Sequence, residues 1–378
     1  MSSATIPATS LADGILGKLL AAVEADGLDA IVATSPENVA YISGAAPPSQ
    51  KTVRSRIAAA IVPRVGGSEV IAVSLEGPVV RLQSRLDSIR LYQEFLEDPI
   101  EVIAQSLTNR GLAEGTIGVE ARHLSVAEHQ RLTEALPKAD FVVIDDLLAH
   151  MRTIKTAAEI EAITVIGRAA DAIALEVREH YGAGSTEREI ASFVAERYAD
   201  AGGDGLTMLV VGSGPRSAAV NAPATGRVLE PGDILRLDII GTKAHYHSDV
   251  ARTFVVGKPS SEQQRIYDLL LGVHNRCLES LRPGAITSDI YRIYKMAMDS
   301  ARLEPYHFVG HGLGITLHEE PFINELRSIA LEPGMVLCIE PLTLLDGRFG
   351  IQIEDEVVIT VDGYNPISSA PELLTLEG

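Results

Sequence analysis

Residues 235–254 read LRLDIIGTKAHYHSDVARTF. Leu235, Leu237, Ile239 and Ile240 predict one strand, and Val250, Phe254 and Val255 predict another. Yet Asp238 stands inside the first apolar run and Asp249 opens the second. With the turn centred between Lys243 and Ala244, Asp238 falls directly opposite Asp249 on one sheet face, their Cβ atoms roughly 5 Å apart. Two like charges at that spacing repel, and a half-buried face strengthens the repulsion. A proton or a cation between the carboxylates would remove it.

The same design returns in MVLCIEPLTLLDGRFGIQIEDEVVIT, residues 335–360. Asp346-Gly347 is a turn signal. A turn centred on Gly347 sets Glu340 opposite Glu354, again within strands rich in Val, Ile and Leu. Between the two hairpins lies YHFVGHGLGITLHEEP (306–321), with His307, His311 and His318 among glycines. One carboxylate in a strand more often marks an ion pair or a solvated position than a metal. Four in opposed pairs, with a histidine nearby, resist that explanation. Oxygen-rich ligands with one imidazole suit Mn²⁺, Fe²⁺, Co²⁺ or Zn²⁺. Four carboxylates can also bridge two ions about 3.5–4 Å apart, the spacing of two-metal hydrolases.

Composition narrows the alternatives. The 378 residues suffice for two domains. Net charge is −19, from 51 acidic and 32 basic residues, and no basic stretch offers to neutralise phosphates, so nucleic-acid binding is not expected. No apolar run has the length to cross a bilayer. The opening MSSATIPATSLADG lacks the basic and apolar regions of a secretory signal, which makes a cytoplasmic location the expectation. Cys277 and Cys338 form no CxxC pair, so neither a thiolate zinc site nor a disulfide framework is indicated.

The chain before residue 150 alternates helix and strand. A helical pattern (10–27) precedes DAIVAT (29–34), IAAAIVP (57–63), EVIAVS (69–74), TIGVE (116–120) and FVVID (141–145), with another helical pattern at 125–136. This predicts an α/β domain, a sheet covered by helices. A long amphipathic helix follows at 156–181, with Ile160, Ile163, Ile166, Ala170, Ile173 and Val177 as its apolar stripe. Thr186 and Glu189 stand at capping-box spacing, and helices recur at 261–281 and 287–301. The second part therefore reads as α+β, an antiparallel sheet with helices outside. The expected domains are 1–153, with the first nine residues a loose tail, and 154–378.

The order Asp238, Asp249, His311, Glu340, Glu354 resembles the metal-ligand set of the methionine aminopeptidase, prolidase, aminopeptidase P and creatinase superfamily. The contexts LDIIG, HSDVARTF, GHGLGITLHEEP, CIEP and IQIED resemble it too, as do DAIVATSPENVAYISG in the N-terminal domain and MRTIKTAAEIEAI at the start of the catalytic one. The resemblance implies a creatinase-type N-terminal domain, a pita-bread catalytic domain and two divalent ions, manganese first, with cobalt, zinc or iron as other candidates. It implies a bridging hydroxide nucleophile, Glu340 as proton carrier, and a homodimer acting on a small peptide or small molecule. His318 and His307 match histidines expected near substrate, while His245 and His247 are expected as exposed turn residues.

Three positions depart from the proline-specific pattern. Asn221 stands where a histidine is usual, Leu342 and Leu344 replace the EPG-aromatic sequence, and RIED becomes QIED with Gln352. Asn221 can hydrogen-bond a substrate carbonyl but carries no proton. The first expectation is an Xaa-Pro dipeptidase or aminopeptidase. The second is a hydrolase of a small non-peptide amide, cyclic amidine or guanidino metabolite, similar to ectoine hydrolase or creatinase. A non-catalytic binding module on the same fold would be expected to have lost ligands, and all five are present.

Overall fold

The computed structural model describes residues 8–370 and 373–378. In the N-terminal part, chain order gives α1 (Ala8–Ala25), β1 (Ala30–Ala33), α2 (Pro36–Ser43), β2 (Ala59–Pro63), β3 (Glu69–Val73) and α3 (Gly77–Gln83). Then follow β4 (Ser88–Tyr92), α4 (Pro99–Asn109), β5 (Thr116–Val119), α5 (Val126–Ala135), β6 (Asp140–Val143) and α6 (Asp145–Thr153). Of the nine residues expected as a loose tail, 1–7 lie outside the described residues, and Ala8 and Thr9 open α1.

The strands form one mixed sheet in the order β4-β3-β2-β1-β5-β6. Only β1–β2 and β2–β3 are antiparallel pairs. The edge strand β4 escapes the apolar-run criterion because Ser88–Leu91 are only half-buried. Glu120, just past β5, is buried and pins the start of α2. It accepts from the Ser35 amide (2.8 Å), the Ser35 hydroxyl (2.6 Å) and the Asn38 side-chain amide (2.5 Å). A carboxylate there answers the unpaired N–H groups of a helix N-terminus.

The second part runs α7 (Ala157–His180), α8 (Glu187–Asp200), β7 (Gly205–Ser213), β8 (Ile234–Lys243), β9 (Tyr246–Val256), α9 (Ser261–Ser280) and α10 (Thr287–Ala301). It continues with β10 (Phe308–Gly312), β11 (Glu319–Asn324), β12 (Val336–Ile339), β13 (Leu342–Leu345), β14 (Phe349–Gln352), β15 (Asp355–Ile359), β16 (Tyr364–Pro366) and β17 (Leu374–Leu376). Among the described residues, the chain packs as two compact units that divide between Arg152 and Thr153.

In this second unit one plan is used twice: two helices, then acidic strands. The capping boxes Thr156/Glu159 and Thr186/Glu189 open α7 and α8. Ile163, Ile166, Ala170, Ile173 and Val177 are buried, and most of them share a core with Leu237, Ile239 and Val250 of β8 and β9. Ile160 is only half-buried; the buried residue in that turn is Glu159, which accepts from the Tyr246 hydroxyl at 3.1 Å. Helices α9 and α10 cover β10, β12 and β15 in a second core. The sheets are β17-β9-β8-β7, β11-β10-β12-β15-β16 and the hairpin β13-β14. No helix among the described residues is long and apolar enough to cross a membrane.

Gly167 shows how closely α7 rides on the sheet. A Cβ built there would overlap Glu356 Oε2 and stand 2.8 Å from Ile367 Cγ2. Glu356 cannot swing aside, because it is fully buried and its Oε1 accepts the Asp249 amide at 2.6 Å. Gly→Ala in a helix interior ordinarily stabilises by about 1 kcal/mol. Here Gly167→Ala is expected to destabilise by about 1–3 kcal/mol, as overpacking does. The midpoint of urea unfolding measures the sign.

Candidate metal centre

The turn of the first acidic hairpin is two residues long. Lys243 pairs with Tyr246, and Ala244 and His245 take φ of 50° and 73°. Both turn residues at positive φ match the type I′ geometry that suits strand twist. This corrects the expected pairing: Asp238 stands opposite Ala251, and Asp249 opposite Ile240. Moving the turn centre by one residue shifts the register by two, which keeps every side chain on its face. The two aspartates are therefore diagonal neighbours on one face rather than directly opposed. His245 is half-buried and His247 buried, its amide donating to Gly314 O at 2.8 Å, so neither is the exposed turn residue expected.

In the second hairpin Leu342 pairs with Gln352 and Ile339 with Asp355. That register leaves Glu340 and Glu354 facing each other where β12 passes into β13 and β14 into β15. His311 on β10 pairs with Cys338 on β12. Its Nδ1 lies 3.0 Å from the Gly312 carbonyl, which only accepts, so the proton sits on Nδ1. Nε2 lies 3.2 Å from Glu340 Oε1 and 3.7 Å from Asp249 Oδ2.

These five residues are between 0 and 6% exposed. Among the described residues, each keeps one buried atom with no hydrogen-bond partner: Asp238 Oδ1, Asp249 Oδ1, His311 Nε2, Glu340 Oε1 and Glu354 Oε1. Burial pushes the carboxyls of Asp249 and Glu354 well above the usual range, and their acidic neighbours push them further. Asp238 is also raised by burial, while Arg236 pulls it back. Each of these atoms can act as a Lewis base toward a metal ion, and none has a hydrogen-bond partner among the described residues. The residues present therefore fit divalent cations.

Sequence reading missed three members of this face. Cys338 offers its Sγ within a group in which Asp249, His311 and Glu354 each bring one atom, all within 4.8 Å of one another. Glu356 and Cys338 form a deeper tier that grips the Asp249 backbone, Glu356 at its amide and Cys338 at its carbonyl. Arg236, buried two residues before Asp238, donates to Gln352 Oε1 at 2.7 Å. The signal for all three was the two-residue period of a strand, from Glu354 to Glu356, Glu340 to Cys338 and Asp238 to Arg236.

The other candidates stand further out. His318 stacks on His311, ring centroids 4.0 Å apart, and is an exposed residue. Burial of its inner face, and then His311, push its pKa down to about 4. The next residue, Glu319, holds that loop through the Thr316 amide (2.9 Å) and a buried pair with Lys155 (3.2 Å). His307 is exposed beside Tyr306. Asn221 is exposed on the loop after the 3-10 turn Gly214–Ala218.

Comparison with known proteins agrees with this arrangement. Residues 161–361 match metallopeptidase family M24, and residues 16–154 match the creatinase/prolidase N-terminal domain. A protein named probable dipeptidase PepE from Mycobacterium tuberculosis is 30% identical over 94% of each chain. The Xaa-Pro dipeptidase of Pyrococcus furiosus is 30% identical over 92% of this chain and 95% of its own. The crystal structure of an X-Pro aminopeptidase from Thermotoga maritima superposes with a TM-score of 0.86 at 25% identity, covering 96% of this chain and 99% of the other. The chain thus belongs to metallopeptidase family M24, whose members use divalent metals, and carries a creatinase/prolidase N-terminal domain ahead of its pita-bread catalytic domain.

Proposed function

We propose that this enzyme cleaves Xaa-Pro dipeptides, or the N-terminal bond of short Xaa-Pro peptides, using two divalent ions held by Asp238, Asp249, His311, Glu340 and Glu354. The carrying observation is the set of five buried donor atoms without partners. Peptide substrates are supported by the names of the Mycobacterium and Pyrococcus relatives. Four carboxylates and one imidazole suit manganese first, and cobalt, iron or zinc next.

Bound there, such ions supply Lewis acidity toward an amide carbonyl and make water nucleophilic near neutral pH. Glu340 takes a proton from the attacking water and returns it to the leaving nitrogen, a role that its unpartnered Oε1 leaves open. His318, stacked on His311 and exposed, hydrogen-bonds the substrate carbonyl or the tetrahedral oxygen. His307 and Asn221 bind substrate further out, a role taken from the family resemblance. The homodimer is likewise carried by that resemblance, and sedimentation should give two copies per particle.

Metal-free protein titrated with Mn²⁺ to a thousandfold excess over Kd should gain about 4 kcal/mol of stability. Differential scanning calorimetry should show a rise in Tm of roughly 10 °C, reversed by chelator. Unchanged Tm together with no bound ion would remove the metal assignment.

Glu340→Gln should lower kcat on an Xaa-Pro dipeptide by about 10²–10⁴-fold, the range for a lost acid–base group. A panel of Xaa-Pro dipeptides assayed with Mn²⁺ tests the substrate. If the metal-loaded wild type turns over none of them, the substrate class moves to small non-peptide amides or amidines.

A further inference from the structure

Arg236 is buried, and among the described residues its charge has no direct anionic hydrogen-bond partner. Its Nε donates to Ser217 O at 3.0 Å, and its Nη2 donates to the carbonyls of Ala219 and Val220. Its Nη1 donates to Gln352 Oε1 at 2.7 Å. All four acceptors are neutral. A buried cation without compensation is costly. Asp238 and Glu354, and after them Tyr306 and Glu340, act against that cost through space without outweighing the burial.

Gln352 completes a directional chain. Because its Oε1 accepts from Arg236, its amide orientation is fixed, and Nε2 must donate to Glu354 Oε2, which it does at 3.2 Å. Glu354 is thereby held by one oxygen while Oε1 stays without a hydrogen-bond partner on the cluster face. Asp238 lies on the same strand face as Arg236, two residues on. Position 352 is also where the family resemblance leads one to expect arginine. The positive charge is present in this chain, but it enters from β8 and reaches Glu354 through a glutamine.

We infer that Arg236 is a positioning residue for the metal centre, orienting Glu354 through Gln352 and offsetting the negative charge of the cluster. This rests on the metal reading proposed above. It differs from a purely structural role, in which Arg236 only clamps the 217–220 carbonyls. Breaking the chain at Gln352 leaves that clamp intact, so the two roles separate at Gln352→Ala.

The test is isothermal titration of metal-free, full-length protein with Mn²⁺, which reads affinity without reference to turnover. Gln352→Ala and Arg236→Met should each weaken binding about 10–100-fold, the usual effect of removing a group that orients a metal ligand. Arg236→Met combined with Gln352→Arg should recover most of that loss, because arginine at 352 supplies donor and charge from the other strand. Should Arg236→Met fail to fold, Gln352→Ala alone decides. Affinity unchanged in Gln352→Ala, or tighter in Arg236→Met, overturns the inference while leaving the metal reading intact. A wild type that binds no ion overturns both.

Discussion

Four carboxylates and an imidazole are buried on one face where two hairpins meet, and each keeps one atom that has no hydrogen-bond partner among the described residues. Two unit charges 4 Å apart interact by about 4 kcal/mol at an effective dielectric of 20. Whole domains are stable by only about 5–15 kcal/mol. A fully ionised cluster without cations would consume much of that margin. The raised carboxyl pKa values express this conflict, since burial and mutual repulsion drive Asp249 and Glu354 toward the protonated form. Cations resolve it without protonation, so folding of this unit and metal loading are linked.

Holding such a cluster requires strands that cannot slide. The Gln352 amide donates to Thr253 Oγ1, whose hydroxyl donates back to the Gln352 carbonyl, and the Glu354 amide reaches the Ala251 carbonyl. These bonds lock β9 to the second hairpin at the level of the ligands. Below them Glu356 accepts the Asp249 amide, with α7 packed against it at Gly167. The repeated plan of two helices followed by acidic strands thus places one apolar core behind each half of the site.

Much of this was legible because strand periodicity constrains faces more tightly than it constrains register. Asp238, Asp249, Glu340 and Glu354 were placed on shared faces from sequence alone. The expected pairing of the first two differs from the observed one because the turn centre lies one residue later, where Ala244 and His245 both take positive φ. His247 looked like a turn residue and is buried, because the loop carrying Gly314, distant in sequence, closes over it. Cys338, Glu356 and Arg236 lay within reach of the same period-two reading. Sequence alone does not single them out, because a thiol, a third acidic residue in IEDE and an arginine two residues before an aspartate each have ordinary explanations.

Two buried arginines on one hairpin show what separates the ordinary explanation from the other. Arg252 faces away from the cluster, an odd number of residues from Asp249, and meets Asp171 at 2.6 Å and Asp355 at 2.8 Å. Against burial, which would raise it, Arg252 and then His274 hold the Asp355 carboxyl below its usual range. That charge is fully paired, and it ties α7 to the sheet and to the Glu354 carbonyl. Arg236 faces the cluster and has carbonyls and an amide for partners. Along IQIEDE the chain alternates the same way: Gln352, Glu354 and Glu356 face the ligands, and Asp355 faces Arg252. A cation retained on the ligand side without a carboxylate of its own is partly offset, and only while the cluster stays anionic. Its cost is therefore coupled to the charge state of the metal site, which is not true of Arg252.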